Sequence, residues 1–310
     1  MDHEHSHTPP DFNRAFAIGI SLNLAFVVVE AVYGVIGNSL ALLADAGHNF
    51  SDVMTLLLAW GAMAISKRGA TARHTFGFKK ATILASLSSA LLLYGAMAII
   101  IWEAVGRFRA PATPDSATII MVAAVGVVIN TATALLFVSG RKHDLNIKGA
   151  FLHMAADALV SAGVVGAGFA IAATGWQWLD PLVSIAIALV VLITGWGLLR
   201  DSFHLTMAGV PPHIDSDEVL DFLGRQPGVT AVHDLHIWAG STTENMLTAH
   251  LVMPEGGSDD FLLEVMKRLR HDFQIHHVTL QIEQDGKCGG RGNQGGRCWP
   301  AQTKAQKESA

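Results

Sequence analysis

The 310-residue chain is 51% hydrophobic and only 15% charged, with a mean hydropathy of +0.38, which is too apolar for an ordinary soluble domain and points to a membrane protein. Its formal net charge of -5, with basic residues neither abundant nor gathered on one face, gives no case for nucleic acid as a partner. Two cysteines, both near the C-terminus, do not make a disulfide framework and suit a reducing interior for that end.

The opening MDHEHSHTPP lacks a charged segment followed by an apolar one, so no cleavable signal is expected. Residues 1–13 are a polar tail in which His3, His5 and His7 alternate, a composition that can capture metal loosely. The first apolar run, about 15–37, contains Asn23 and Glu30, and a buried Glu needs a partner, so this helix faces into a bundle. The second, about 40–65, carries His48 and Asp52, which a spacing of four places on one helix face about a turn apart. Asp45 lies near the same face as a third ligand, an acceptor that orients His48, or part of a wet entry path; the orienting role is favoured. A basic loop, SKRGATARHTFGFKK, follows, and its lone His74 is a weak ligand candidate.

A third apolar run covers about 81–105, and a fourth, about 116–139, carries Asn130. The fifth, about 149–173, repeats the His-x-x-x-Asp pattern with His153 and Asp157, and adds Ser161, Gly163, Gly166 and Gly168, small residues that allow close helix approach. Trp176 and Trp178 suit a membrane edge, Asp180-Pro181 reads as a turn, and a sixth run ends near Leu199. Each run can cross roughly 30 Å of hydrocarbon. Lys67, Arg68, Arg73, Lys79, Lys80, Arg141, Lys142, Lys148 and Arg200 fall in loops on one side and only Arg107 and Arg109 on the other, so both termini are expected in the cytoplasm.

Two helices presenting His48, Asp52, His153 and Asp157 to each other supply two imidazoles and two carboxylates, a tetrahedral all-protein zinc set. The plainer reading is that each pair only packs helices. A carboxylate in hydrocarbon costs a few kcal/mol, and the same pair kept twice favours function. Four protein ligands leave no position for a catalytic water, and the His-Glu-x-x-His pattern is absent, so no enzyme is expected.

From about 209 the composition becomes that of a soluble domain. A capped helix over Asp215–Arg225, strands in VTAVHDLHIWA and ENMLTAHLVM, a helix in FLLEVMKRLRHDF and a strand in HHVTLQIE give the order α-β-β-α-β over 209–285. Ligand-type residues are dense here: His233, His236, His250, His271, His276, His277 and Glu283. Strand parity turns His233 and His236 to opposite faces, while His250 and Glu283 could share a metal with His233 or His276. The tail 286–310 is Gly-rich and reads as flexible; Cys288 and Cys298 are too widely spaced for a zinc knuckle and are weak candidates.

NLAFVVVEAVYG, GNSLALLADAGHNFSD, RHTFGFKKATILASL, NIKGAFLHMAADAL and GVTAVHDLHIW, in that order, make the chain resemble the cation diffusion facilitators, the family of zinc transporters that export divalent metal against protons, over almost all of residues 10–285. The resemblance implies a six-helix transmembrane bundle over 14–200 and a small metallochaperone-like αββαβ cytoplasmic domain. It implies a homodimer in a lipid bilayer, a bacterial inner membrane here, with zinc as substrate and regulatory ligand. It also implies that His48, Asp52, His153 and Asp157 carry the metal, and that His233, His250, His276 and Glu283 hold cytoplasmic metal. Gln281 stands where one type of member has a further histidine. Because protons and zinc compete for imidazole and carboxylate lone pairs, the expected activity is proton-coupled zinc efflux by alternating access. The alternatives are a membrane-bound zinc sensor and an exporter mainly of cadmium, cobalt or nickel.

Overall fold

The structure, a computed structural model, describes residues 12–138, 145–284 and 299–300. Six long helices come first: α1 (Phe12–Ile36), α2 (Leu40–Ser66), α3 (Ala81–Arg109), α4 (Ser116–Phe137), α5 (Leu145–Thr174) and α6 (Leu179–Thr206). Among the described residues α3, α4, α5 and α6 are long and apolar enough to cross a membrane, and residues 21–36 of α1 form a shorter apolar stretch. At 27 residues α2 has the length, about 40 Å, but Asp45, His48, Asn49 and Asp52 break its apolar run. Large side chains such as Trp102 (82% exposed) and Ile193 (73%) point outward, where a bilayer rather than water suits them.

The chain forms two compact units, one of residues 1–58 with 88–196 and one of 59–87 with 197–310. The first is cored by Phe26, Leu42, Met97, Ile119, Val164 and Val191. Glycine lets the helices close: a Cβ on Gly126 would stand 2.7 Å from the Phe26 ring, and one on Gly168 would stand 2.8 Å from Ile120. Asp180, expected in a turn, instead lies in the first turn of α6 and is 1% exposed. Its carboxylate accepts hydrogen bonds from Ser39 Oγ (2.6 Å), Leu40 N (2.8 Å) and Ala41 N (3.2 Å), and Arg107 Nη1 stands 3.5 Å away. Thus α6 caps the N-terminus of α2 from across the bundle, satisfying amides that a helix start leaves free. Arg107, expected as a loop cation, also donates to the Asn38 carbonyl and side chain.

In the second unit, α7 (Ser216–Gly224), β1 (Ala231–Ala239), β2 (Asn245–Val252), α8 (Asp259–Asp272) and β3 (Ile275–Glu283) follow in order. The Asp215 carboxylate caps α7 and Ser258 Oγ caps α8. β1 and β2 are antiparallel, and α8 crosses back so that β3 lies parallel to β2. Val219 and Leu223 of α7 and Val265 and Leu269 of α8 pack on Val232, Ile237, Leu247, Leu251 and Ile275, covering one face of the sheet. Within 286–310, read as flexible throughout, the described Trp299–Pro300 pairs with Ala231 and Val232 as β4, so the sheet order is β3-β2-β1-β4.

Strand parity fails at two places. His233 pairs with His250 but His236 pairs with Thr248, so β1 carries one extra residue between them. Asp234, at φ 52°, takes up the bulge, a left-handed conformation that aspartate tolerates. Since 250 and 248 share a face of β2, His233 and His236 share a face of β1, opposite to expectation. A second irregularity falls between the pairs Asn245–Ile275 and Met246–His277 and leaves His276 inside it.

Candidate metal-binding sites

The facing turns of α2 and α5 bring four ligand-type side chains together. His153 Nε2 is 3.1 Å from Asp52 Oδ2 and 3.7 Å from Asp157 Oδ2. His48 Nε2 is 3.4 Å from Asp157 Oδ1 and 3.7 Å from Asp52 Oδ2, and the two imidazoles meet edge to face with centroids 5.9 Å apart. A tetrahedral zinc ion with bonds of about 2.0–2.1 Å needs ligand atoms about 3.3–3.4 Å apart. The four His–Asp separations of 3.1–3.7 Å lie close to that value, and His48, His153 and Asp157 offer ligand atoms that all lie within 4.8 Å of one another.

Exposure is graded across it. Asp52 and His153 are 32% and 42% exposed, whereas His48 and Asp157 are 15% and 3%. Solvent reaches the cluster from the end that Asp52 and His153 form, and the end toward Asp45 is closed.

Asp45 does not orient His48. His48 Nδ1 has no partner among the described residues, and Asp45 Oδ2 instead accepts from Ser161 Oγ of α5 at 2.9 Å. Glu30 is fully buried and accepts from Asn49 Nδ2 at 3.4 Å. Asn23 and Asn130 are buried on α1 and α4, and among the described residues no hydrogen bond ties either to the four ligands. Ser161 was legible only as a small residue and Asn49 was not singled out; their polar role appears once α1, α2 and α5 are packed.

The second cluster lies on the open face of the small sheet. Glu283 is 2.9 Å through Oε2 from His233 Nε2 and 2.9 Å through Oε1 from His250 Nδ1, with the two rings 5.0 Å apart. Partial burial pushes the Glu283 carboxyl up, but the hydrogen bonds from His233 and His250 outweigh that and hold it below the ordinary glutamate value. Gln281 Nε2 donates to the same carboxylate at 2.9 Å. The bulge adds Asp234, 3.7 Å from His250 Nε2 and 3.1 Å from His236 Nε2, a carboxylate that strand periodicity did not single out. Each cluster could hold a divalent ion.

His276 does not join this group. It sits in the irregularity at the start of β3, within 3.5 Å of the Asn245 amide, and seven strand residues, about 23 Å, separate it from Glu283. His74 packs its ring on Phe78 at 4.5 Å, His277 packs on Phe76 at 5.4 Å, and His271 pairs with the exposed Asp272. None of these three enters a ligand cluster among the described residues. Cys288, Cys298 and the N-terminal histidines lie outside the described residues.

Residues 16–205 match the family described as the cation efflux transmembrane domain, and residues 211–285 match the cation efflux protein cytoplasmic domain. The cation efflux system protein CzcD of Alcaligenes sp. (strain CT14) is 38% identical over 282 residues, 90% of this chain and 89% of that protein. A cadmium, cobalt and zinc/H(+)-K(+) antiporter of Bacillus subtilis (strain 168) is 33% identical over 91% of this chain and 92% of its own length. The zinc transporter ZitB of Escherichia coli (strain K12) is 36% identical over 91% and 93%. With apolar helices ahead of a ligand-bearing sheet domain, and both parts matched in order, the chain belongs to the cation diffusion facilitator family: it is a multi-pass membrane cation-efflux transporter and not an enzyme.

Proposed function

We propose that the protein exports zinc from the cytoplasm in exchange for protons, carrying the ion on His48, Asp52, His153 and Asp157. The observation that carries this reading is the set of four N···O separations of 3.1–3.7 Å between two imidazoles and two carboxylates on facing helices. Zinc is the ion such a mixed set suits, and zinc appears in the names of two of the similar transporters. Protons compete for the same lone pairs, which supplies the exchange, and the name of the Bacillus relative supports antiport.

The loop charges support both termini in the cytoplasm, and the bacterial sources of the similar transporters support an inner membrane for the spans. In that orientation α2 runs inward, so the exposed end at Asp52 and His153 is the cytoplasmic one and the geometry is that of loading. Zinc sheds water onto neutral imidazoles and carboxylates; a rocking of the helices exposes the cluster to the other side, where protons displace it.

The protein works as a homodimer. Zinc on His233, His250 and Glu283 regulates by binding one conformation of the domain more tightly than another, and it shifts the balance only by that difference.

Zinc flux into proteoliposomes under an imposed pH gradient is the test. Wild-type protein moves zinc and Asp157→Ala does not; equal flux in both ends the reading. Replacing His250 and Glu283 together changes the zinc dependence of the rate and leaves turnover. The cadmium and cobalt in the Bacillus name favour a broader cargo, and a competition assay with both ions measures how far selectivity extends.

A further inference from the structure

Glu30 and Asp45 are close to the four ligands but hold none of the geometry of a fifth. Both carboxyl groups are at 0% exposure within apolar helices. One oxygen of each is satisfied, Glu30 Oε2 by Asn49 and Asp45 Oδ2 by Ser161. The remaining oxygens, Glu30 Oε1 and Asp45 Oδ1, have no donor among the described residues, and neither does Asn49 Oδ1 beside them. Asn49, which donates to Glu30, follows Asp45 by four residues on α2, so the two carboxyl groups lie within about one helical turn of each other. Carboxylates only accept, so a hydrogen bond between two of them requires a proton, and two bare like charges in contact without water do not persist. A single proton between them satisfies both orphaned oxygens and removes one buried charge.

We infer that Glu30 and Asp45 form a proton-carrying pair one helical turn beyond the metal cluster, which releases its proton when zinc binds and regains it when zinc leaves. The inference rests on transport through the four ligands and adds a proton to those displaced from the imidazoles. Asp45 precedes His48 by three residues on α2, and Ser161, which holds Asp45, follows Asp157 by four on α5, so the link to the ligands is one turn on each helix. The ionisable groups that face the pair are His48 and Asp157; α4, packed on α1, brings only the neutral Asn130 and Thr133 to its buried face. Before loading, the pair carries one proton and one negative charge. An arriving divalent cation repels that proton. The O–H bond breaks, the proton passes to water through the open cluster, and the doubly negative pair faces the doubly positive ion. Departure of zinc reverses each step.

Calorimetric titration of the full-length protein with zinc, in buffers of differing protonation enthalpy, counts the protons released per ion. A background of His250→Ala and Glu283→Ala confines binding to the intramembrane cluster. The expected result is a count lower by one in Glu30→Gln and in Asp45→Asn. Infrared difference spectra add a second readout: zinc-free protein at neutral pH shows the C=O band of a protonated carboxyl, and the band vanishes with zinc and in both variants. An unchanged count in a variant that binds zinc, or a wild-type spectrum without the band, overturns the inference while leaving zinc flux and its dependence on Asp157 intact. If neither variant folds, the wild-type band and its response to zinc decide alone.

Discussion

Replacing Asp180 by alanine tests whether the helix that carries His48 and Asp52 is held by its distant cap. The change removes the acceptor for Ser39 Oγ, Leu40 N and Ala41 N at once and leaves Arg107 Nη1 without a carboxylate it approaches at 3.5 Å. A buried donor left unsatisfied costs about 1–3 kcal/mol, and losing one partner of a buried ion pair costs about 3–5 kcal/mol. These overlap, because the same carboxylate serves all four groups and water can enter a helix end, so a loss of about 3–5 kcal/mol is expected. Asp180→Asn keeps one acceptor oxygen and should lose about half as much. Hydrogen exchange read by mass spectrometry on the segment around Leu40 and Ala41 localises the effect, and an unfolding midpoint in detergent gives its size. Faster exchange confined to the start of α2 supports the assignment. Unchanged exchange there, or a loss below about 1 kcal/mol, refutes the idea that Asp180 anchors α2.

Three further outcomes follow from the geometry. X-ray absorption of zinc bound to full-length protein lacking His250 and Glu283 should show four nitrogen and oxygen neighbours at about 2.0–2.1 Å and no sulfur. Gly126→Ala should destabilise the first unit by about 1–3 kcal/mol, since its Cβ falls 2.7 Å from the Phe26 ring, and Phe26→Leu in the same chain should recover part of the loss in a thermal melt. Glu283 has its acid strength raised by His233 and His250, so its contribution to stability is present above the ordinary glutamate range near pH 4.3 and is lost as pH falls through the lower folded value. Metal-free protein should therefore weaken below roughly pH 4 in a denaturant titration followed by Trp238 fluorescence, and Glu283→Gln should flatten that dependence.

The membrane-spanning character and the αββαβ order were readable because long apolar runs and period-two strands are local patterns. The spacing of four in His48–Asp52 and His153–Asp157 is local too, and it showed which side chains share a face of each helix. What sequence withheld was set by distance along the chain. Ser39 and Asp180 are 141 residues apart, so an Asp-Pro pair at a helix start looks like a turn until α2 and α6 are side by side. The orienting role expected of Asp45 failed for the same reason: its acceptor oxygen finds Ser161, 116 residues on. His236 was misjudged because parity assumes an unbroken ladder and β1 carries an irregularity that alternation alone does not reveal, whereas His276 lies at the opposite end of β3 from Glu283.

The extra residue at Asp234 ties the small domain's interior to its exterior by a count of one. On either side of it, Val232 and Ile237 both point inward although five positions separate them, which an even ladder forbids. Deleting Asp234 would leave Val232 and Ile237 four positions apart, so that an even ladder keeps both of them inward and His233 and His236 outward. The sheet would keep its apolar face, and what would go is the carboxylate that the bulge turns toward His236 and His250.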